Sequence, residues 1–193
     1  MKKGIIIAVV AVIAVAAIVC GVIFLGGNNA PKVEVADSAD VLNKVFTTYA
    51  EEDKFFAMGG DFSNPVDGAA GIYSLEDKEG MAATLHISED LIGQVDEAAS
   101  YLHAMNANTF TGAAFHLADA KAAESFSASL KESVLSTQWM CGFPEKIVMY
   151  TINGGEYVVY AVGAADLVDN FSATLMMVYG ESAVETVNEA LEA

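Results

Sequence analysis

The chain of 193 residues carries nine Lys, no Arg and 26 Asp or Glu, a net charge of −17. Without Arg, the planar fork that grips phosphate, and without a basic stripe, it lacks the footprint of a nucleic-acid binder. Two cysteines, Cys20 and Cys141, are too few for a disulfide framework, so a hydrophobic core must hold the fold.

Residues 4–25 contain no charge, Asn, Gln, Ser, Thr or Pro, and follow only Met1, Lys2 and Lys3. As a helix the run would be about 33 Å long, against a hydrocarbon core of about 30 Å. Fourteen of its residues are Ile, Val, Leu or Phe, giving a summed preference for lipid of roughly −4 to −8 kcal/mol. The run is too long for a cleaved signal, whose apolar region spans about 7 to 15 residues. The expected reading is a single-pass transmembrane helix over 4–25 with the lipid bilayer as partner. Lys2 and Lys3 place a cytoplasmic stub, residues 1–3, inside by the positive-inside rule. A Gly, Asn and Pro linker over 26–37 then leads to an extracytoplasmic domain, residues 38–193. Beyond the apolar run seven Lys face all 26 acids, a balance of −19, which an anionic membrane surface would repel.

Within that domain, Val41, Leu42, Val45, Phe46 and Tyr49 fall on one apolar face and predict a helix from Ser38. The stretch from Gly59 to Gly71, rich in Gly, Asn, Pro and Asp, reads as a loop. Ser74 to Leu85 predicts a short helix interrupted at Gly80, and Ser88 to Ile92 a further turn. Glu97 to Met105 and Thr109 to Leu117 read as two strands joined by a turn at Asn106-Ala107-Asn108. Asp119 caps a helix on which Ala122, Phe126, Leu130 and Val134 recur every four residues. Lys146 to Ile152 and Glu156 to Val162 are strand-like runs around Asn153-Gly154-Gly155, a strong hairpin signal. Asp166 or Asp169 opens a helix reaching Tyr179, and Ser182-Ala183-Val184-Glu185 matches a capping box for a final acidic helix. The order ββαββα predicts an α+β domain of two layers, a four-stranded, mostly antiparallel sheet with helices on one face.

From about Leu91 to Phe171, three features occur together. They are the Ala-rich helix, Pro144-Glu145-Lys146 leading into a strand, and the return Gly154-Gly155-Glu156-Tyr157-Val158-Val159. The stretch resembles a bacterial domain family of unknown function found on lipoproteins and membrane-anchored proteins of Gram-positive gut anaerobes. The likeness covers under half the chain and implies envelope localisation, with no site to carry over.

No catalytic signature stands out. His86, His103 and His116 are 17 and 13 residues apart, unlike the short spacings of metal ligands. The acid pairs Asp96-Glu97 and Asp166/Asp169 could pose as carboxylate pairs, but read as helix N-terminal caps stabilised by the macrodipole. Ser125, Ser127, Ser129 and Ser133 sit in no Gly-x-Ser-x-Gly elbow, and no Gly-Gly pair precedes a Lys-Ser or Lys-Thr. No cofactor or metal is expected. Trp139-Met140-Cys141-Gly142-Phe143-Pro144 combines the only Trp with Met and Phe in a loop, residue types over-represented at interface cores. Trp139, Met140 and Phe143 are therefore the candidate partner-binding residues, set against a loop that simply closes the core. The reading is a non-enzymatic, membrane-anchored binding or interaction domain with an envelope protein as partner. The alternative is an envelope hydrolase using acidic residues.

Overall fold

A computed structural model of the protein describes residues 31–105, 109–139 and 142–191. Its elements in chain order are α1 (Ser38–Phe46), β1 (Ala57–Asp61), β2 (Asn64–Asp67), β3 (Gly71–Tyr73), α2 (Lys78–Leu85), α3 (Glu89–Ile92) and β4 (Val95–His103). Then come β5 (Phe110–Leu117), α4 (Ala123–Leu135), β6 (Lys146–Ile152), β7 (Tyr157–Gly163), α5 (Ala165–Tyr179) and β8 (Ala183–Ala190). All strand pairs are antiparallel. The sheet order is β2-β1-β4-β5-β7-β6-β8, with β3 pairing β4 alongside the β1 contact.

The expected four-stranded sheet is thus corrected to eight strands, and the helices lie on both faces rather than one. One face packs α1 and α5 through Leu42, Phe46, Phe171 and Leu175. The other packs α2, α3 and α4 through Met81, Leu91, Phe126 and Leu130. The physical reason is visible in β6 and β7: every residue of β7 is buried, and five of the seven in β6. A strand covered on both sides reads as a continuous apolar run and not as alternation. Val148 and Tyr150 point to one layer while Ile147 and Met149 point to the other.

Two further corrections concern the edges. The segment read as a loop from Gly59 to Gly71 contains most of β1 and all of β2, with β3 beginning at Gly71. The final helix predicted from Ser182 is instead β8, paired along β6 from Ile152↔Ala183 to Lys146↔Ala190. Without β8, the buried strand β6 would present a row of unpaired amides and carbonyls. That demand outweighs a local capping pattern. A register shift in β8 opposite Met149/Tyr150 lets Ala183 face one core and Val187 the other. The transmembrane helix expected over 4–25 is not supported, because it lies outside the described residues. Among the described residues no helix is long and apolar enough to cross a membrane.

Local chemistry explains the elements that matched. Asp37 caps α1, accepting from the Asp40 amide at 2.7 Å, and Asp119 accepts from the Lys121 amide at 3.0 Å before α4. The β6–β7 turn uses Asn153 and Gly154 with φ of 56° and 74°, the left-handed pair that matches strand twist. Gly155 adds φ 96°, and a Cβ there would lie 2.5 Å from the Ala120 carbonyl, so no larger residue fits. α5 starts at Ala165, one residue before Asp166, and two of its first-turn amides are met by carboxylates: Asp166 accepts from the Leu167 amide at 2.9 Å, and Glu145, from outside the helix, accepts from the Ala165 amide at 3.0 Å.

Candidate binding surface

At the β1–β2 end of the sheet the chain turns tightly through Phe62 and Ser63, with Asp61 opposite Asn64. Asp61 organises this turn. Its Oδ1 accepts from the amides of Ser63 and Asn64 at 2.8 Å each, and its Oδ2 from the amide of Ser74 at 3.2 Å. Burial alone would raise its pKa, but these amide hydrogen bonds outweigh burial and hold the carboxyl below the usual range. The neighbouring Gly60 carbonyl accepts from the buried Ser100 hydroxyl at 2.8 Å. Gly59 lets β1 cross close to the start of β3, since a Cβ there would lie 2.4 Å from the Ala69 carbonyl oxygen and from the Gly71 nitrogen.

These fixed backbones support a mainly apolar notch of about 200 Å³ walled by Met58, Phe62, Pro65, Tyr73, Thr84 and Leu102. Phe62 is 83% exposed, and Phe56, Met58, Val66 and Ile72 on the same three-strand region are also exposed. Burying the Phe62 ring, which a structured turn holds out in water, would bring roughly 1.5–3 kcal/mol. Tyr73 hydrogen-bonds Thr84 at 3.4 Å. Its phenol is pushed up chiefly by burial, against the lowering effect of the Thr84 hydrogen bond, with the carboxylates of Asp77 and Asp61 adding to the rise.

The Trp139 loop is divided. Trp139 is half-buried, packs on the α2–α4 core and lies 4.4 Å from the His86 ring, centroid to centroid. Phe143 is 68% exposed. Met140 lies outside the described residues. His86 ends α2 with φ 52°, and burial lowers its pKa to about 4, so it is neutral at neutral pH.

The polar clusters serve other ends. His116 Nδ1 contacts Asp96, and the ring meets Tyr157 edge-on at 4.8 Å. Such a pair could orient an imidazole, yet no serine, threonine or cysteine is bonded to it among the described residues. Tyr150 donates to Glu185 at 2.9 Å and shares a hydrogen bond with Ser172 at 2.6 Å. Burial first, and Glu185 next, push its phenol up to about 12, so it keeps its proton and acts as a fixed donor, not a base. His103 accepts from the Met105 amide and stacks on Phe55. Thus the three histidines have separate partners, and among the described residues no three His, Cys, Asp or Glu side chains group as metal ligands.

Sequence reasoning pointed to the Trp139 loop and passed over Phe62. A signal was present: an aromatic inside Gly59-Gly60-Asp61-Phe62-Ser63-Asn64-Pro65, where Asp, Ser and Asn favour a side-chain-stabilised turn. Searches among family models, characterised proteins and solved structures find no match to this chain.

Proposed function

We propose that the domain is a non-enzymatic binding module of a bacterial cell envelope, held at the membrane through residues 4–25, which recognises a protein partner through the notch under Phe62. The observation carrying this reading is the 83% exposed Phe62 ring on a turn fixed by three backbone amide hydrogen bonds to Asp61. Preorganised aromatic anchors are what interface hot spots use, since little ordering entropy remains to be lost on binding. The acid beside the notch favours binding over hydrolysis. Asp61 has both oxygens committed to amides and a lowered pKa, whereas a general acid for glycoside cleavage needs a raised one. Phe143, on the other loop, offers a second exposed ring, but the Trp139 beside it in sequence is turned onto the core.

Replacing Phe62 by a photo-crosslinking phenylalanine analogue in intact cells tests the proposal. One reproducible protein adduct on illumination is the expected result. A chain that expresses and fractionates normally yet gives no adduct from position 62 contradicts it.

A further inference from the structure

The notch does not stand alone. The Tyr73 hydroxyl and the Asp77 carboxylate converge on Gly80, where an added Cβ would lie 2.7 Å from one and 2.1 Å from the other. Next to that point a second, wider concavity is lined by Glu76, Asp77, Lys78, Glu79, Ala82 and Glu89. Across the linings of both concavities five acids face one cation, Lys78, which lies 3.7 Å from Glu89. The surface therefore offers an apolar socket bordered on its α2 side by negative charge.

Two other occupants fit this chemistry poorly. A second copy of the chain brings the same acidic border, on a domain whose overall balance is strongly negative, and like charges brought together across an interface cost free energy. An anionic lipid surface is repelled for the same reason. A partner of opposite charge gains on both counts, with its apolar side chain in the socket and its cations toward α2.

We infer, on the basis of the proposed binding role of this notch, that its occupant is a cationic segment of a partner protein, an apolar or aromatic anchor flanked by Lys or Arg. The anchor supplies contact area beneath Phe62 and against Leu102. The flanking cations meet Glu76, Asp77 and Glu79, and the pairing is salt-dependent because all of these acids are solvated.

The test uses the full chain in a neutral detergent and two fluorescent 11-residue peptides. One has a central Leu-Trp pair flanked by Lys, and the other has the same pair flanked by Gln. Binding is followed by anisotropy in low and high salt. The Lys peptide is expected to bind more tightly than the Gln peptide and to lose affinity with salt. Phe62→Ser should weaken it by about tenfold or more, and Glu76→Gln with Glu79→Gln by about fivefold. The pair Asp166→Asn with Glu181→Gln, of equal charge change on α5 and the turn after it, in the helical layer on the other face of the sheet, should change affinity less than about twofold. Equal binding of both peptides, abolished by Phe62→Ser, overturns the cationic partner while leaving the notch as a binding surface. Binding of the Lys peptide that is indifferent to Phe62→Ser overturns both. Self-association of the chain through Phe62, seen by sedimentation without peptide binding, also overturns the cationic partner, in favour of a second copy.

Discussion

The two sides of the sheet are built from different chemistry. At β5, β7 and β6 nearly every side chain is buried between two helical layers, and Phe115, Tyr160 and Tyr150 have no exposed surface. At β1, β2 and β3 the strands are three to five residues long, all of β2 is exposed, and glycines sit where backbones meet. The centre uses side chains to hold the fold. The β1–β2 end uses backbone hydrogen bonds and Asp61 to hold its shape, which leaves side chains such as Phe62 free to be presented. Stability and recognition are thereby assigned to different residues, and a substitution should reveal which role its site plays.

The largest effect is expected in the centre. Phe115 contacts Phe126 and Tyr160, with ring centroids 5.8 and 6.2 Å away, and Phe115→Ala should cost about 3–5 kcal/mol in urea unfolding. A loss below about 1 kcal/mol would mean that the centre is not the stabilising half. At the other end Gly59→Ala should cost about 1–3 kcal/mol, because its Cβ would meet backbone rather than a movable side chain. Crosslinking from position 62 should fall with it, since the turn would shift. An unchanged midpoint would show that β1 and β3 do not meet as described.

A smaller, pH-dependent effect belongs to His86. Its folded pKa, near 4, lies below the ordinary value of 6.5, so between those values the unfolded chain takes up the proton and the folded chain does not. Stability should therefore fall as pH drops through this window, by at most about 2 kcal/mol between pH 7 and pH 5. His86→Asn, a residue that tolerates the positive φ, should remove most of that slope. His103, also depressed by burial, accounts for a remainder. A slope identical in wild type and variant would place the pH sensitivity elsewhere.

The same contrast explains what could be read from the residues alone. The Asn153-Gly154-Gly155 turn, the β6 and β7 runs, and the α4 face of Phe126, Leu130 and Val134 were legible because local propensity and burial agree there. The unbroken apolar stretch of β7 also carried the sign of a sheet covered on both faces, which a two-layer reading missed. β1 and β2 were hidden because Gly59, Gly60 and Pro65 weaken strand propensity, and their pairing is set by contacts distant in sequence. β8 was hidden by the Ser182 to Glu185 capping pattern, which the open edge of β6 overrides. Trp139 drew attention as the only Trp, yet much of its ring is spent on His86 and the α4 core. Phe62 sat in a stretch that reads as a loop, where an apolar residue ordinarily folds inward.

The most direct measurement pairs two readouts on one variant, Phe62→Ser: thermal unfolding of the chain and capture of its partner by a crosslinker at a neighbouring exposed position, Met58. The separation of roles predicts a midpoint within about 2 °C of wild type together with loss of the adduct. A midpoint lowered by several degrees with the adduct retained would show that Phe62 serves the fold, and the assignment of recognition to this end of the sheet would be wrong.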